Sequence, residues 1–291
     1  MPIRLPRRAA PAVSAAFAAT TCVVVLTAAD SHHVAAAQRL EAEYTASVAG
    51  IPIGRGNWVI EIDNDQYSAA ASGATTGIFR IFSSARGTSA ARGVFSGGFP
   101  VPSSYAESVD YGHAVIDDVR IALVGGNVKD YAVDPPLPPH PDRIPVSDAD
   151  RRGVVDPMSS ALARVGGSGD PVSPLACGRK VPVFDGRVRY DLNSEFRRID
   201  MVKAEKGYQG PAVVCGVYFA PISGYVPNRP VIKYLIDLRD AEVWLAPIAG
   251  TRVLAPFRFA MPTPLGNGVL QATQFVVIPQ PPHPSISAKT Q

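Results

Sequence analysis

Histidine is the side chain that most often moves protons in hydrolytic sites, and few of the histidines in this sequence are placed to do so. His140 and His283 lie in matching Pro-Pro-His-Pro segments, whereas His113 follows a glycine at a predicted hairpin turn. A catalytic triad or a histidine-rich metal site needs a base that is held in a packed pocket. Only His113 qualifies, and a solvated turn histidine is the favoured interpretation. A hydrolase would require His113 to be buried beside an acid and a hydroxyl group.

Motifs that carry nucleophiles or bind phosphate are also missing. The segment Gly93–Gly97 approaches a Gly-x-Ser-x-Gly elbow, but its serine comes one position too late. The glycine-rich segment Gly166–Gly169 leads into Asp170 and Pro171 and not into a helix, so it does not fit a phosphate loop. The sequence has no His-Glu-x-x-His pattern. We therefore predict no catalytic residue, no metal ligand and no cofactor, and a protein that is not an enzyme.

One charged pattern follows a strong turn signal. Asp185-Gly186 is typical of a two-residue hairpin, and Arg187, Arg189 and Asp191 then alternate onto one face of the predicted strand. This face is either a charged rim that meets an anionic partner or a solvated surface with weak ion pairs. The second interpretation is favoured.

The N-terminus has the pattern of a secretory signal peptide. Arg4, Arg7 and Arg8 precede the apolar stretch Ala12–Ala29, and Ala35–Ala37 offers a small-residue cleavage site. We predict a signal peptide over residues 1–37, cleavage near Ala37 and a periplasmic location. A retained membrane anchor is less favoured because serine and threonine interrupt the apolar stretch. Lipid attachment at the cysteine inside that stretch is also less favoured, since the residues before it lack the expected pattern.

The predicted mature chain carries two cysteines, Cys177 and Cys215. An even number in an exported protein favours a disulfide bond over two buried thiols. Without the leader, acids and bases nearly balance, so the charge does not indicate a nucleic-acid partner. No other segment is apolar enough to be predicted to cross a membrane.

Alternation of apolar and polar residues predicts strands through most of the mature chain. In Arg39–Val48, for example, Leu40, Ala42 and Tyr44 share one face. In the second half, strands are predicted at Lys180–Phe184, Arg187–Phe196, Met201–Glu205, Ala212–Ala220, Val231–Leu238, Glu242–Pro247, Val253–Met261 and Val269–Val277. The pattern predicts a mainly all-β fold, in which a curled antiparallel sheet forms a half-barrel or β-spiral.

One helix is predicted over Asp156–Val165. Its first residue is a capping acid, proline follows at the first helical position, and glycines end it. We expect this helix to cover the open side of the sheet. The proline-rich segment Asp134–Pro141 is either a domain linker or a surface crossover, and the crossover is favoured. We therefore predict a single domain over residues 38–278 and a disordered tail over 279–291.

Large apolar side chains alternate with small residues on several predicted strands. Six of them are predicted to line the interior of the curled sheet: Trp58, Phe82, Phe95, Tyr218, Trp244 and Phe257. Such an interior is either filled by side chains or left open for an acyl chain. The filled core is the simpler expectation, and the many alanines and glycines leave room for the cavity.

Several segments together resemble an uncharacterised bacterial envelope family, domain of unknown function 3108. The matching segments are Tyr44–Gly54, Asp156–Ser159, Val183–Leu192, Gly210–Cys215, Pro221–Tyr225 and Pro262–Gly266. The resemblance spans residues 41–277 and rests on the order and spacing of these segments. It implies an exported β-rich fold similar to the curled half-barrels of periplasmic lipoprotein carriers. It implies no activity and no catalytic residue.

Two functions from different classes follow from these observations. The favoured one is a periplasmic, non-enzymatic binding protein of the cell envelope that holds a hydrophobic ligand, a lipid or a lipoprotein, in a curved β-sheet. The alternative is a structural scaffold for envelope integrity that docks a protein partner. A hydrolase is the least favoured.

Overall fold

The computed structural model describes residues 37–76, 85–112 and 116–281, and strands dominate these ranges. The strands are β1 (Ala37–Val48), β2 (Ile51–Asp63), β3 (Gln66–Thr75), β4 (Arg86–Ser96), β5 (Phe99–Asp110), β6 (Ile116–Val124), β7 (Asn127–Asp134), β8 (Ala163–Arg164), β9 (Lys180–Phe184), β10 (Arg189–Lys203), β11 (Lys206–Gly207), β12 (Gln209–Ser223), β13 (Glu242–Pro247), β14 (Val253–Thr263) and β15 (Gly266–Gln280). Two short α-helices accompany them, α1 (Pro157–Ser160) and α2 (Pro230–Asp237).

The described strands form one sheet in the order β7-β6-β5-β4-β3-β2-β1-β15-β14-β13-β12-β10-β9. Neighbours along this path are antiparallel, whereas the short β11 pairs with β15 in parallel, and β8 pairs with β14 off the path. The predicted all-β fold is therefore confirmed. Strands from before and after the proline-rich segment belong to the same sheet, so this segment connects two parts of one sheet.

Burial along β1 shows why these residues form strands. Leu40, Ala42 and Tyr44 are buried, while Arg39, Glu41 and Glu43 between them are more exposed. This alternation matches the two-residue repeat of a pleated strand whose two faces differ in environment. The interior face continues through Ile60 on β2 and Ala69 on β3, which lie in the same buried cluster.

Residues 153–156 connect the two ends of the curled sheet. The backbone N–H of Val154 donates to the carbonyl of Gly126, after β6, at 2.8 Å, and that of Val155 donates to Pro182 on β9 at 2.9 Å. On the same side, the rings of Tyr131 on β7 and Phe184 on β9 are 5.6 Å apart. The edges of an otherwise open sheet are thus partly covered.

The turn between β9 and β10 is compact because a carboxylate fixes it. One Asp185 oxygen accepts hydrogen bonds from the backbone N–H groups of Arg187 at 2.8 Å and Val188 at 2.6 Å. Gly186 has a φ of 95°, and a Cβ atom there would lie 2.7 Å from a methyl group of Val119. Glycine therefore satisfies both the backbone conformation and the close approach to β6.

Helix α1 is capped by a fully buried polar group. Asp156 accepts hydrogen bonds from the backbone N–H of Ser159 at 2.8 Å and from its hydroxyl at 2.6 Å. The Tyr67 hydroxyl in turn donates to the Ser159 hydroxyl at 2.7 Å. Burial raises the pKa of Asp156, although the bonds from Ser159 oppose this shift. The predicted cap is present, and it ties α1 to β3.

The predicted helix over Asp156–Val165 is too long. The helix ends at Ser160, and Ala163 and Arg164 then pair with β14 as strand β8. The hydrogen bonds of β8 and the burial of Leu162 and Val165 outweigh the helical propensity of this segment. The remaining single turn packs against β4, β5 and β9.

Several strand predictions are also wrong in type or in bounds. The predicted strand Val231–Leu238 is helix α2. Its β-branched residues favoured a strand, but Pro230 at the first helical turn was the decisive signal. The predicted strands Arg187–Phe196 and Met201–Glu205 are the single strand β10, which accommodates a β-bulge between Phe196 and Arg198. Strand β15 also runs to Gln280, two residues into the predicted tail.

Several predictions concern residues outside the described ranges. They include the signal peptide, apart from Ala37 in β1, as well as Phe82, His113, His283 and the rest of the tail. The domain bounds of 38–278 stay a prediction.

Candidate functional site

A cavity of about 490 Å³ that opens to the surface is lined mainly by apolar groups. Its walls come from β1 to β3, from the segment that follows α1, from the start of β9 and the residues before it, and from β10 and β12 to β15. The lining residues are Tyr44, Gly56, Asn57, Trp58, Ala71, Ser72, Ser160, Ala161, Ala163, Ala176, Arg179, Val181, Leu192, Ser194, Cys215, Val217, Val243, Leu245, Pro256, Phe259 and Leu270. Small-molecule sites typically have volumes of about 300–1,000 Å³.

Small residues on β2 and β3 leave this space open. Trp58 pairs with Ala71 across the two strands, so a methyl group lies opposite a large indole. At Gly56 even a Cβ atom would lie 2.7 Å from the backbone oxygen of Ser72, so the strands approach closely only because this residue is glycine. The lining residues Asn57 and Ser72 are exposed, which places the opening of the cavity beside them.

A buried hydroxyl group fixes the distance between two walls of the cavity. The Tyr44 hydroxyl on β1 donates to the carbonyl oxygen of Pro256 on β14 at 2.6 Å. Burial raises the pKa of the Tyr44 phenol well above its ordinary value, so the group stays a neutral donor. The satisfied bond lets a polar atom remain in the apolar wall without a desolvation penalty.

The predicted disulfide between Cys177 and Cys215 is confirmed and lies at the cavity wall. It joins the segment before β9 to the middle of β12. Val213, Leu245 and Leu254 pack around it in a separate buried cluster. The bond therefore holds the segment that carries Arg179 against the sheet.

Arg179 is the one charged residue of the described lining. Its Nη1 donates to the carbonyl oxygen of Leu162 at 3.3 Å, and its guanidinium carbon lies 5.1 Å from the centre of the Phe99 ring. Its Nη2 is buried and has no hydrogen-bond partner. Burial lowers the pKa of the guanidinium, which nevertheless remains charged because arginine does not lose its proton in proteins.

A second buried donor lacks a partner in the same lining. Trp58 Nε1 is buried and makes no hydrogen bond among the described residues. An indole N–H can only donate. The polar atoms that the cavity leaves unsatisfied, at Arg179 and Trp58, are therefore both donors.

A profile of the family Protein of unknown function (DUF3108) matches residues 43–273. The chain belongs to the DUF3108 family. No curated protein matches the chain. A similar solved structure is the β-barrel-like protein of domain of unknown function DUF1849 from Brucella abortus, with 8% identity and a TM-score of 0.41, over 84% of this chain and 98% of that chain. DUF3108 has no assigned function, and the comparisons indicate no catalytic family.

The residues predicted to line the interior of this DUF3108 protein lie in different places. Trp58 lines the cavity. Phe95 is buried in the core against Tyr67, with ring centres 5.0 Å apart. Tyr218 lies outside the lining and donates to Glu195.

The other two described residues of that set, Trp244 and Phe257, border a separate and more polar depression. Trp244 Nε1 donates to Asp200 at 2.9 Å, and the Trp244 ring lies 5.5 Å from the Arg198 guanidinium carbon and 4.9 Å from that of Arg258. Its neighbours Val243 and Leu245 line the cavity instead.

The residue that sequence reasoning missed is Arg179. In the sequence it looks like many surface arginines, because its position in a cavity without a carboxylate partner depends on strands that are distant in the sequence. The available signal was its position two residues after Cys177, in a segment that a disulfide holds on the sheet.

The charged face after the turn at residue 186 is not a solvated surface, so the favoured interpretation of it was wrong. Asp191 is only 4% exposed. One of its oxygens lies 2.9 Å from Lys180 Nζ, and the other lies 2.7 Å from Arg189 Nη1. Burial opposes ionisation of Asp191, but these two cations outweigh it and hold its pKa below the ordinary value. Arg187 pairs with Asp117 on β6, so the face joins strands within the fold.

In the described ranges, no accessible group of side chains is arranged for acid–base catalysis or metal binding. Ser159 and Asp156 hydrogen bond each other but are 0% exposed, so a substrate cannot reach them. The described histidine, His140, accepts a hydrogen bond from the backbone N–H of Asp142 in the proline-rich segment. Residues 37–76, 85–112 and 116–281 contain no group of histidine, cysteine and acidic side chains that could hold a metal ion.

In the same ranges, no helix is both long and apolar enough to span a membrane.

Proposed function

We propose that this protein is a periplasmic, non-enzymatic binding protein of the cell envelope that holds a hydrophobic ligand in the cavity beside Trp58. The observation that carries the proposal is the apolar cavity of about 490 Å³. An apolar surface that an open pocket leaves in contact with water costs free energy, which the apolar part of a ligand would recover. A fold under selection for packing alone would fill this space with larger side chains on β2 and β3.

The construction of the cavity walls supports the same function. The bond from Tyr44 to Pro256 and the disulfide at Cys215 hold opposite walls in place, so the space does not depend on a ligand to keep it open. Preformed, rigid sites lose less conformational entropy on binding. The disulfide also supports the proposed location, since such bonds persist in oxidising compartments.

A matched pair of substitutions tests the function. Ala71 lines the cavity, whereas its neighbour Ala70 is exposed on the opposite face of β3. Ala71→Leu is expected to fill the cavity and reduce binding of a neutral apolar dye by at least about tenfold, because the ligand loses its space. Ala70→Leu adds the same side chain to the surface and is expected to leave binding unchanged. Dye fluorescence titration and mass spectrometry of lipid extracted from each purified protein measure the effect.

Intrinsic fluorescence locates the bound ligand. The chain has two tryptophans, and Trp244 borders a different depression, so Trp244→Phe leaves Trp58 as the reporter of the cavity. A spectral change on ligand addition in this variant places the ligand beside Trp58. Absence of binding in the unsubstituted protein, or equal binding by the two leucine variants, would reject the proposal and favour the alternative of a structural scaffold.

A further inference from the structure

We infer that the cavity selects single-chain amphiphiles with an anionic head group, which Arg179 binds. This inference rests on the proposed function, because it names the class of ligand that the same cavity takes. Three observations support it: the positive charge of the lining, the donor character of its unsatisfied polar atoms, and the fixed position of Arg179.

The described lining carries one positive charge, that of Arg179, and no negative charge balances it. Among the described lining residues there is no aspartate, glutamate, lysine or histidine beside Arg179. The ion pairs found in the described ranges do not include this arginine. A partly buried charge without a partner is costly unless an opposite charge joins it. An anionic ligand would supply that charge.

The unsatisfied polar atoms specify the same chemistry. Arg179 and Trp58 both line one cavity, and their buried Nη2 and Nε1 atoms are N–H donors without a partner among the described residues. A carboxylate or phosphate oxygen only accepts hydrogen bonds when ionised, and bonds from a guanidinium to such oxygens are about twice as strong as neutral ones. A head group that brings donors, such as an amine, would leave both protein atoms unsatisfied.

Arg179 is held in position before any ligand binds. Its backbone N–H donates to the Ser194 hydroxyl oxygen at 3.2 Å, its side chain lies against Phe99, and Cys177 fixes the chain two residues earlier. A pre-positioned arginine loses little rotamer entropy when it binds an anion. Most of the remaining lining is apolar, which suits one hydrocarbon chain. A volume of about 490 Å³ lies in the lower half of the usual range for ligand sites, which favours one chain over two.

A ligand series of constant chain length tests the inference on the purified, delipidated full chain. Isothermal titration calorimetry compares dodecanoate, dodecyl phosphate, dodecanol and dodecyltrimethylammonium, each below its micelle concentration. We expect at least one of the two anions to bind at least about tenfold more tightly than the alcohol, since hydrogen bonds between two charged groups are stronger than those that involve a neutral group. We expect the cation to bind more weakly than the alcohol. The tighter of the two anions identifies the head group as a carboxylate or a phosphate.

Substitutions at position 179 assign the selectivity to this residue. Arg179→Met keeps much of the side-chain length and removes the charge, so we expect the anion to bind no more tightly than the alcohol, with alcohol binding unchanged. Arg179→Lys retains the charge and is expected to keep part of the preference. The control is Arg120→Met on β6, which removes one positive charge from an exposed position outside the cavity and should leave the preference intact. Circular dichroism verifies that each variant is folded.

The outcomes separate this inference from the proposed function. If acid, phosphate and alcohol bind equally to the unsubstituted protein, or if Arg179→Met and Arg179→Lys both retain the full preference, the inference is wrong while the hydrophobic cavity site stands. If none of the four compounds binds, and the apolar dye does not bind either, the proposed function fails with it.

Discussion

Arg179 has two properties that rarely occur together inside a protein, a permanent positive charge and the absence of a carboxylate partner. Arg179 is half-buried, and arginine is seldom withdrawn from water without such a partner. The described residues offer it a weak bond to Leu162 and the face of Phe99. Its position is therefore explained better by the proposed anionic ligand than by a role in stability.

This arrangement predicts that removing the charge stabilises the empty protein. Arg179→Met keeps the packing against Phe99 and removes the desolvation cost, so the free energy of unfolding is expected to rise by about 1 kcal/mol. Urea denaturation of the delipidated protein measures this change, and Arg120→Met should stay within about 0.5 kcal/mol of the unsubstituted protein. A decrease of about 2 kcal/mol or more in Arg179→Met would instead show that the arginine is a structural residue.

Asp191 predicts how stability responds to acid. Its folded pKa lies below the ordinary value of 3.8, so its ion pairs stabilise the fold above that value, and this contribution is lost as the pH falls through the folded pKa. Asp191→Asn is expected to lower the free energy of unfolding by roughly 1–3 kcal/mol at neutral pH. The difference from the unsubstituted protein should shrink below about pH 4.

Chemical denaturation at pH 7 and at pH 3 measures the two differences. Asp63→Asn is a suitable control because Asp63 accepts only an exposed hydrogen bond from Asn64 in a hairpin turn. If Asp191→Asn lowers the free energy of unfolding equally at both pH values, the ionised form of Asp191 is not what stabilises the fold.

At the scale of the elements, the disulfide connects a short segment to a long strand. The segment from residue 176 to residue 181 supplies three residues to the cavity lining, but it has little regular structure before β9. Its attachment to β12 through Cys177 replaces hydrogen bonds that a longer strand would have made. The proposed ligand binding and the stability of the fold are therefore expected to depend on the same covalent bond.

Removing both cysteines is expected to weaken the fold and the site together. In Cys177→Ala/Cys215→Ala the free energy of unfolding should fall by about 3–4 kcal/mol, as the chain-entropy model gives for a loop of this length. Affinity for the preferred anion should also fall, because Arg179 loses its support. The unsubstituted protein under reducing conditions should match the double variant, whereas the variant should not respond to the reductant. Unchanged anion affinity in the folded variant would show that the bond does not position the arginine.

The elements also show how far a sequence predicts this fold. The predicted bounds of β9 and β13 agree with the structure. Alternation cannot tell which face is inside, however, because a shift of one residue exchanges the faces. Trp244 was assigned to the lining for its size, while the smaller Val243 and Leu245 occupy it.

At the scale of the whole molecule, the cavity exists only because distant segments meet. Trp58 and Arg179 lie far apart in the sequence, and strands from both halves of the sheet contribute to the lining. Local patterns predict strands and a curled sheet, but the space between strands depends on register, bulges and closure by residues 153–156. This is why the fold class was predictable and the charged group of the site was not.

The order of the strands has a consequence for how the molecule is assembled. The first described strand, β1, lies in the middle of the sheet and pairs along its full length with the last strand, β15, from Ala37 opposite Gln280 to Val48 opposite Gly268. During synthesis β1 is made first, yet one of its edges must wait for almost the entire chain before it finds its partner. Until β15 is made, this edge of β1 stays unpaired, and unpaired strand edges promote aggregation.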